Sequence, residues 1–186
     1  MILGLDISTS CTGWCILDNG KLKAMDAIDL SKKKSIYAKA SAVQTAISNL
    51  NIQYDIDSVF IEENLQAFRP GLSSAKTLLT LARFNGVVSY LCHQEFFYEP
   101  VYINVNSARK SLDIKLVRGK KAQKSTKEQV LEWVSDQLSD TNHQWPIKIL
   151  KSGPRKGQSV LTAGCYDMAD AYVIARSGYE QLKKYE

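Results

Sequence analysis

Apolar and polar positions along the chain change period several times, and those changes divide it into elements. Ile2 to Ile7 is an apolar run interrupted by Gly4 and Asp6 and followed by Ser8-Thr9-Ser10, which predicts a buried strand entering a loop. Gly13 to Leu17 is a second apolar run, Asp18-Asn19-Gly20 is a strong hairpin turn, and Lys21 to Ile28 alternates as a third strand. Ile36, Ala40, Val43, Ile47 and Leu50 then recur at helical spacing. Ser58 to Ile61 predicts another buried strand. After Arg69-Pro70-Gly71, Leu72 to His93 carries a long helical pattern through Leu78, Leu79, Ala82, Gly86, Val87, Tyr90 and Leu91, and Pro100 to Val105 predicts a fifth strand. Ser125-Thr126-Lys127-Glu128 fits a capping box that opens a helix with Val130, Trp133, Val134 and Leu138 on one face. Residues 139–161 read as an extended basic linker, with Gly153-Pro154-Arg155-Lys156-Gly157 as a loop or hairpin tip, and a last helix begins near Cys165.

A three-strand meander followed by alternating helices and strands requires a parallel portion beside an antiparallel one. The expected fold is therefore α/β, a mixed five-stranded sheet with helices on both faces, in a single domain over 1–186. The helix at 72–93 is apolar around so much of its circumference that it is the best candidate for a homodimer interface.

Composition narrows the functional classes. With 186 residues and 45% hydrophobic content the chain can bury an ordinary core. It has no apolar run of about 18 residues and no secretory pattern at its start, so the expectation is a soluble, cytoplasmic protein. Cys11, Cys15, Cys92 and Cys165 are spaced neither as a zinc site nor as a disulfide framework and read as reduced, buried hydrophobes. The net charge is +5, but from Asn106 to Val160 twelve Lys and Arg face five Asp and Glu, so the excess is local. A local cationic excess suits phosphate binding, because neutralised phosphates release counterions; a solvated charged face would read the same way.

The most informative residues are acids in apolar settings. Asp6 lies within a buried strand, Glu62 ends the run Val59-Phe60-Ile61, and Asp167 and Asp170 are three apart on a helix, hence on one face. If the strands of Asp6 and Glu62 are parallel neighbours, the four carboxylates meet near the end of the sheet where ligands bind. Such a cluster repels itself unless cations are present. All-oxygen ligands select Mg²⁺ or Mn²⁺, and a pair of such ions about 4 Å apart is suited to phosphodiester hydrolysis.

Several segments resemble a known family. Ile2-Leu3-Gly4-Leu5-Asp6 with Thr12-Gly13-Trp14, Val59-Phe60-Ile61-Glu62, the stretch Ala75 to Val88, and Asp167-Met168-Ala169-Asp170-Ala171 resemble the RuvC-like Holliday junction resolvases of the RNase H-like superfamily, including phage-type members. The resemblance spans nearly the whole chain, with 139–161 lacking a counterpart. It implies an RNase H-like fold, two-metal hydrolysis by Asp6, Glu62, Asp167 and Asp170, and a homodimer that nicks four-way DNA junctions. It also implies DNA contacts by Lys127 and by the cations before it, Arg118, Lys120, Lys121 and Lys124. Leu65 or Phe68 would be the apolar side chain inserted into the junction. Two positions depart from the pattern: Ile7-Ser8-Thr9 replaces a Pro-Gly turn, and Glu63 stands beside Glu62. Alternation along a strand puts those two acids on opposite faces, and the motif favours Glu62.

Two other readings compete. Asp6 followed by Ser8-Thr9-Ser10 also resembles the phosphate-binding hairpin of actin-like and sugar-kinase phosphotransferases, but those need two related domains, and this chain has room for one. A non-catalytic DNA-binding protein on the same fold would have no reason to keep four costly carboxylates.

Overall fold

The computed structural model describes residues 1–63 and 74–184, and of Lys120 only the backbone. Leu65, Phe68 and the first two residues of the expected 72–93 helix lie outside the described residues. The chain opens with strands β1 (Ile2–Ile7), β2 (Cys11–Asp18) and β3 (Lys21–Asp29), joined as an antiparallel meander. Asn19 (φ 49°) and Gly20 (φ 75°) both take left-handed conformations, as the tight β2–β3 turn requires. Helix α1 (Ile36–Gln53), strand β4 (Ser58–Glu62), helix α2 (Ala75–Phe96) and the short strand β5 (Val101–Ile103) follow. Among the described residues these strands form one sheet in the order β3-β2-β1-β4-β5, with β1–β4 and β4–β5 parallel.

Covered faces explain the apolar runs. Leu3, Leu5 and Ile7 of β1 and Val59 and Ile61 of β4 pack under α1 and α2 with Val43, Ile47, Phe84 and Val88. Ile2 and Phe60 point to the opposite face, against the final helix α5 (Gly164–Leu182) with Ala171, Ile174 and Ala175. A strand buried on both faces cannot alternate polar and apolar residues, so β1 and β4 read as continuous hydrophobic runs. The same alternation carries Asp6 and Glu62 to the α5 side.

Three features depart from the expectation. Val105–Ser111 is a short helix, α3, capped by the Asn104 side chain accepting from the Asn106 and Ser107 amides; it cuts the fifth strand to three residues. Residues 139–161 are not an extended linker: after α4 (Thr126–Gln137), β6 (Ile147–Ile149) and β7 (Ser159–Leu161) form a separate antiparallel hairpin. Cys15, Cys92 and Cys165 are buried as expected, but Cys11 is partly exposed. The capping box is present as read, with the Ser125 hydroxyl accepting from the Glu128 amide and the Glu128 carboxylate accepting from the Ser125 amide at 2.7 Å. Among the described residues no helix is long and apolar enough to cross a membrane.

Candidate active site

The register of β1 against β4 pairs Leu5 with Ile61, so the next residues, Asp6 and Glu62, stand level on adjacent parallel strands. Neighbouring strands are about 4.8 Å apart, which places two carboxylates side by side at the ends of these strands. Helix α5 crosses above them and brings Asp167 and Asp170 from its first two turns. Two glycines allow that approach. A Cβ on Gly4 would lie 2.6 Å from the Ala171 carbonyl oxygen, and one on Gly13 would lie 2.0 Å from that of Asp167. The Thr12-Gly13-Trp14 step is therefore a seat for the backbone of α5.

The four acids line one cavity of about 770 Å³, together with Glu63, Ser8, Ser10, Leu81, Arg109, Thr126 and Lys127. Their mutual influence shows in their protonation. Burial, then the charges of Glu62, Asp170 and Asp167, pushes Asp6 well above the usual carboxylate range. Burial and then Asp170 push Glu62 up to about 7, against the opposing pull of Arg109 and Lys127. Asp170 is raised by burial, with Arg109 and Lys127 opposing. Glu63, just past the end of β4, accepts from the Asn104 side chain at 3.3 Å.

Two cations stand among the acids. Lys127, in the first turn of α4, reaches Asp167 at 3.3 Å, and Arg109 of α3 reaches the nearly buried Asp170 at 3.4 Å. Burial disfavours the charge on Lys127, but Asp167, Asp170 and Asp6 outweigh it and hold its ammonium above the ordinary value. Arg109 Nε is buried without a hydrogen-bond partner. As they stand, no three His, Cys, Asp or Glu side chains among the described residues are close enough to hold one ion between them. The donors nonetheless suit a hard divalent cation in kind, being all carboxylate oxygens.

The other cations expected from the sequence divide. Arg118 lines a second cavity, of about 490 Å³, with Lys110 and with Arg109, which also faces the acids. Lys120 and Lys121 belong to a single 3-10 turn, Gly119–Lys121. Lys124 is paired with Glu132 and is not among the residues lining the acidic cavity.

Sequence reasoning missed Arg109, one of twelve cations in its segment, and Asn85. Asn85 is buried on α2 and donates to the Glu62 carbonyl at 3.3 Å. Ser89 donates to Asn85, and Tyr102 donates to Ser89 at 2.6 Å, so a polar chain braces the end of β4 from behind. A buried Asn on an otherwise apolar helix face was the available signal.

No protein-family model matches the chain, and no curated protein matches it in sequence. Solved structures do. Thermus thermophilus RuvC in complex with a Holliday junction substrate superposes with a TM-score of 0.60 at 15% identity, over 98% of this chain and 94% of that one. A second Thermus thermophilus RuvC structure gives 0.55 at 15%, over 98% and 96%. The yeast mitochondrial Holliday junction resolvase Ydc2 gives 0.58 at 17%, over 99% and 80%. Over nearly its whole length, the chain thus has the RuvC-like form of the RNase H fold.

Proposed function

We propose that the protein is a metal-dependent endodeoxyribonuclease that nicks four-way and related branched DNA junctions. The observation that carries this reading is the convergence of Asp6, Glu62, Asp167 and Asp170 in one open cleft at the end of parallel strands, flanked by Arg109 and Lys127. The shared fold with junction-resolving enzymes agrees with it.

Asp6, Glu62, Asp167 and Asp170 would hold two Mg²⁺ or Mn²⁺ ions, which supply the Lewis acidity for phosphodiester hydrolysis. Lys127 and Arg109 bind and orient the phosphate. Arg118, Lys121 and Lys124 extend the cationic surface along the DNA backbone, with Lys124 contributing least because it is paired with Glu132.

The active unit is a homodimer through the outer face of α2. Leu79 and Tyr90 are 68% and 60% exposed there, with Ala82 and Gly86 between them, and a Cβ on Gly86 would meet nothing within 4 Å. Small residues between two large apolar ones let a second helix approach closely, and a two-fold substrate suits a two-fold enzyme.

Incubation of the wild-type protein with a synthetic four-way junction and a linear duplex of equal length, with Mg²⁺, Mn²⁺ or EDTA, tests the reading. Paired nicks in the junction that depend on the divalent ion are expected. Absence of junction cleavage in either ion overturns it. A monomer in light scattering with junction DNA present overturns the dimer.

A further inference from the structure

The β6–β7 hairpin is unused by this chemistry. It carries Lys148, Lys151, Arg155 and Lys156 and no acid, and residues 151–159 are all exposed. Its base is held firmly. The Thr162 amide donates to the Pro146 carbonyl at 2.9 Å, Cys165 Sγ donates to the same oxygen, and Trp145 Nε1 donates to Ser135 on α4 at 3.0 Å. Its tip is self-contained, closed by the Gly157 amide on the Leu150 carbonyl at 2.8 Å, with Gly153 and Gly157 at positive φ. Neither strand packs extensively on another helix or strand, so the element projects from the body.

Its position and its faces indicate what it meets. Lys148 and Thr162 line a cavity of about 660 Å³ that shares Ser10, Lys127 and Asp167 with the acidic cleft. The hairpin is therefore rooted beside the acids, and α5 begins only three residues after β7. Ile147 and Leu161 are cross-strand partners, Ile149 lies on the same face, and the three are 64%, 39% and 63% exposed. A two-stranded ribbon alone is marginally stable in water, so this apolar ridge gains from being covered. Lys148 alternates to the opposite face, toward Asp26, Asp29 and Asp167 in that cavity, whereas Lys151, Arg155 and Lys156 at the exposed tip have no acid opposite them. Cations left open beside the ridge select a polyanion as the cover, and a DNA groove admits a two-stranded ribbon whose cations meet the phosphates.

We infer that the hairpin is a DNA-binding arm, which grips duplex next to the cleft through Lys151, Arg155 and Lys156 and lays Ile147, Ile149 and Leu161 along the groove. This rests on the proposed function only in taking DNA as the substrate.

The test compares wild type with a Lys151→Ala, Arg155→Ala, Lys156→Ala protein, and with a second variant carrying Lys151→Gln, Arg155→Gln and Lys156→Gln. Binding to a linear duplex and to a four-way junction is titrated over a range of salt, with melting curves as the folding control. Both variants are expected to melt as wild type does and to bind both DNAs more weakly. The log–log salt slope should become shallower by about 0.9 for each phosphate contact removed. Unchanged slopes and affinities in folded variants overturn the arm. So does an altered mass in light scattering with unchanged DNA binding, which would make the ridge a protein contact. The linear duplex keeps the two readings separable. Wild-type junction cleavage with no slope change defeats the arm alone, whereas a slope change without any junction cleavage defeats the nuclease reading alone.

Discussion

Gly13 of β2 lies directly beneath the backbone of Asp167, so closely that a Cβ on it would sit 2.0 Å from the Asp167 carbonyl oxygen and 2.3 Å from its carbonyl carbon. The obstruction is backbone, not a flexible side chain, and it cannot swing aside. Gly13→Ala must push the start of α5 off the sheet, and with it Asp167 and Asp170. The expected outcome is loss of cleavage together with about 1–3 kcal/mol of stability. Melting curves and a nicking assay check this, and an active, normally stable Gly13→Ala protein would show that α5 is not seated as described.

Asp6→Asn keeps the shape of the side chain and removes one charge from a crowded cluster. Repulsion from Glu62, Asp170 and Asp167 raises Asp6 after burial does, so the metal-free variant should be at least as stable as wild type. Junction cleavage should nevertheless fall by about 100-fold or more, while junction binding is retained, because a direct ligand matters at least as much as the outer groups around it. Near-normal nicking by this protein in Mg²⁺ would remove Asp6 from the metal site.

Glu62 makes the metal-free protein pH-sensitive in a definite direction. Its carboxyl titrates near its ordinary 4.5 in the unfolded chain and at about 7 in the fold. Between those values the folded state binds more protons, so stability is greatest below about 4.5 and is lost as pH rises through about 7. The contribution is on the order of 1–3 kcal/mol. Melting temperatures in EDTA should fall over this interval less steeply for Glu62→Gln than for wild type, and Mg²⁺ should restore the wild-type protein. Parallel curves for the two proteins would mean that Glu62 does not carry this proton.

Asn85→Leu removes the amide that donates to the Glu62 carbonyl and the side-chain oxygen that Ser89 reaches at 3.3 Å, while Ser89 keeps the backbone carbonyl of residue 85 and Tyr102 keeps Ser89. A loss of about 1 kcal/mol is expected from the broken hydrogen bond. The rate at saturating junction should drop by about 10-fold, with little change in affinity, since Asn85 acts through the backbone that carries Glu62. A fall in affinity with an unchanged rate would place Asn85 outside this role.

The sequence by itself determined the order of the main elements and singled out the four acids that line the cleft. Both follow from burial: strands covered on two faces must be continuously apolar, and a carboxylate inside such a run stands out because it is costly there. The capping box and the β2–β3 turn were legible for a similar reason, since their geometry depends on residues a few positions apart. Tertiary structure decided the rest. Lys127 stood out through the family resemblance, but choosing Arg109 from a stretch of twelve cations depends on how α3 packs against α5, which no local spacing encodes. The tip of the projecting hairpin was legible in Gly153 to Gly157, but its strands and the short α3 were not, because too few of their residues are buried to impose a period. Gly13 looked like part of a motif, and only the crossing of α5 over β2 supplied its physical reason: two backbones in contact leave no room for a side chain.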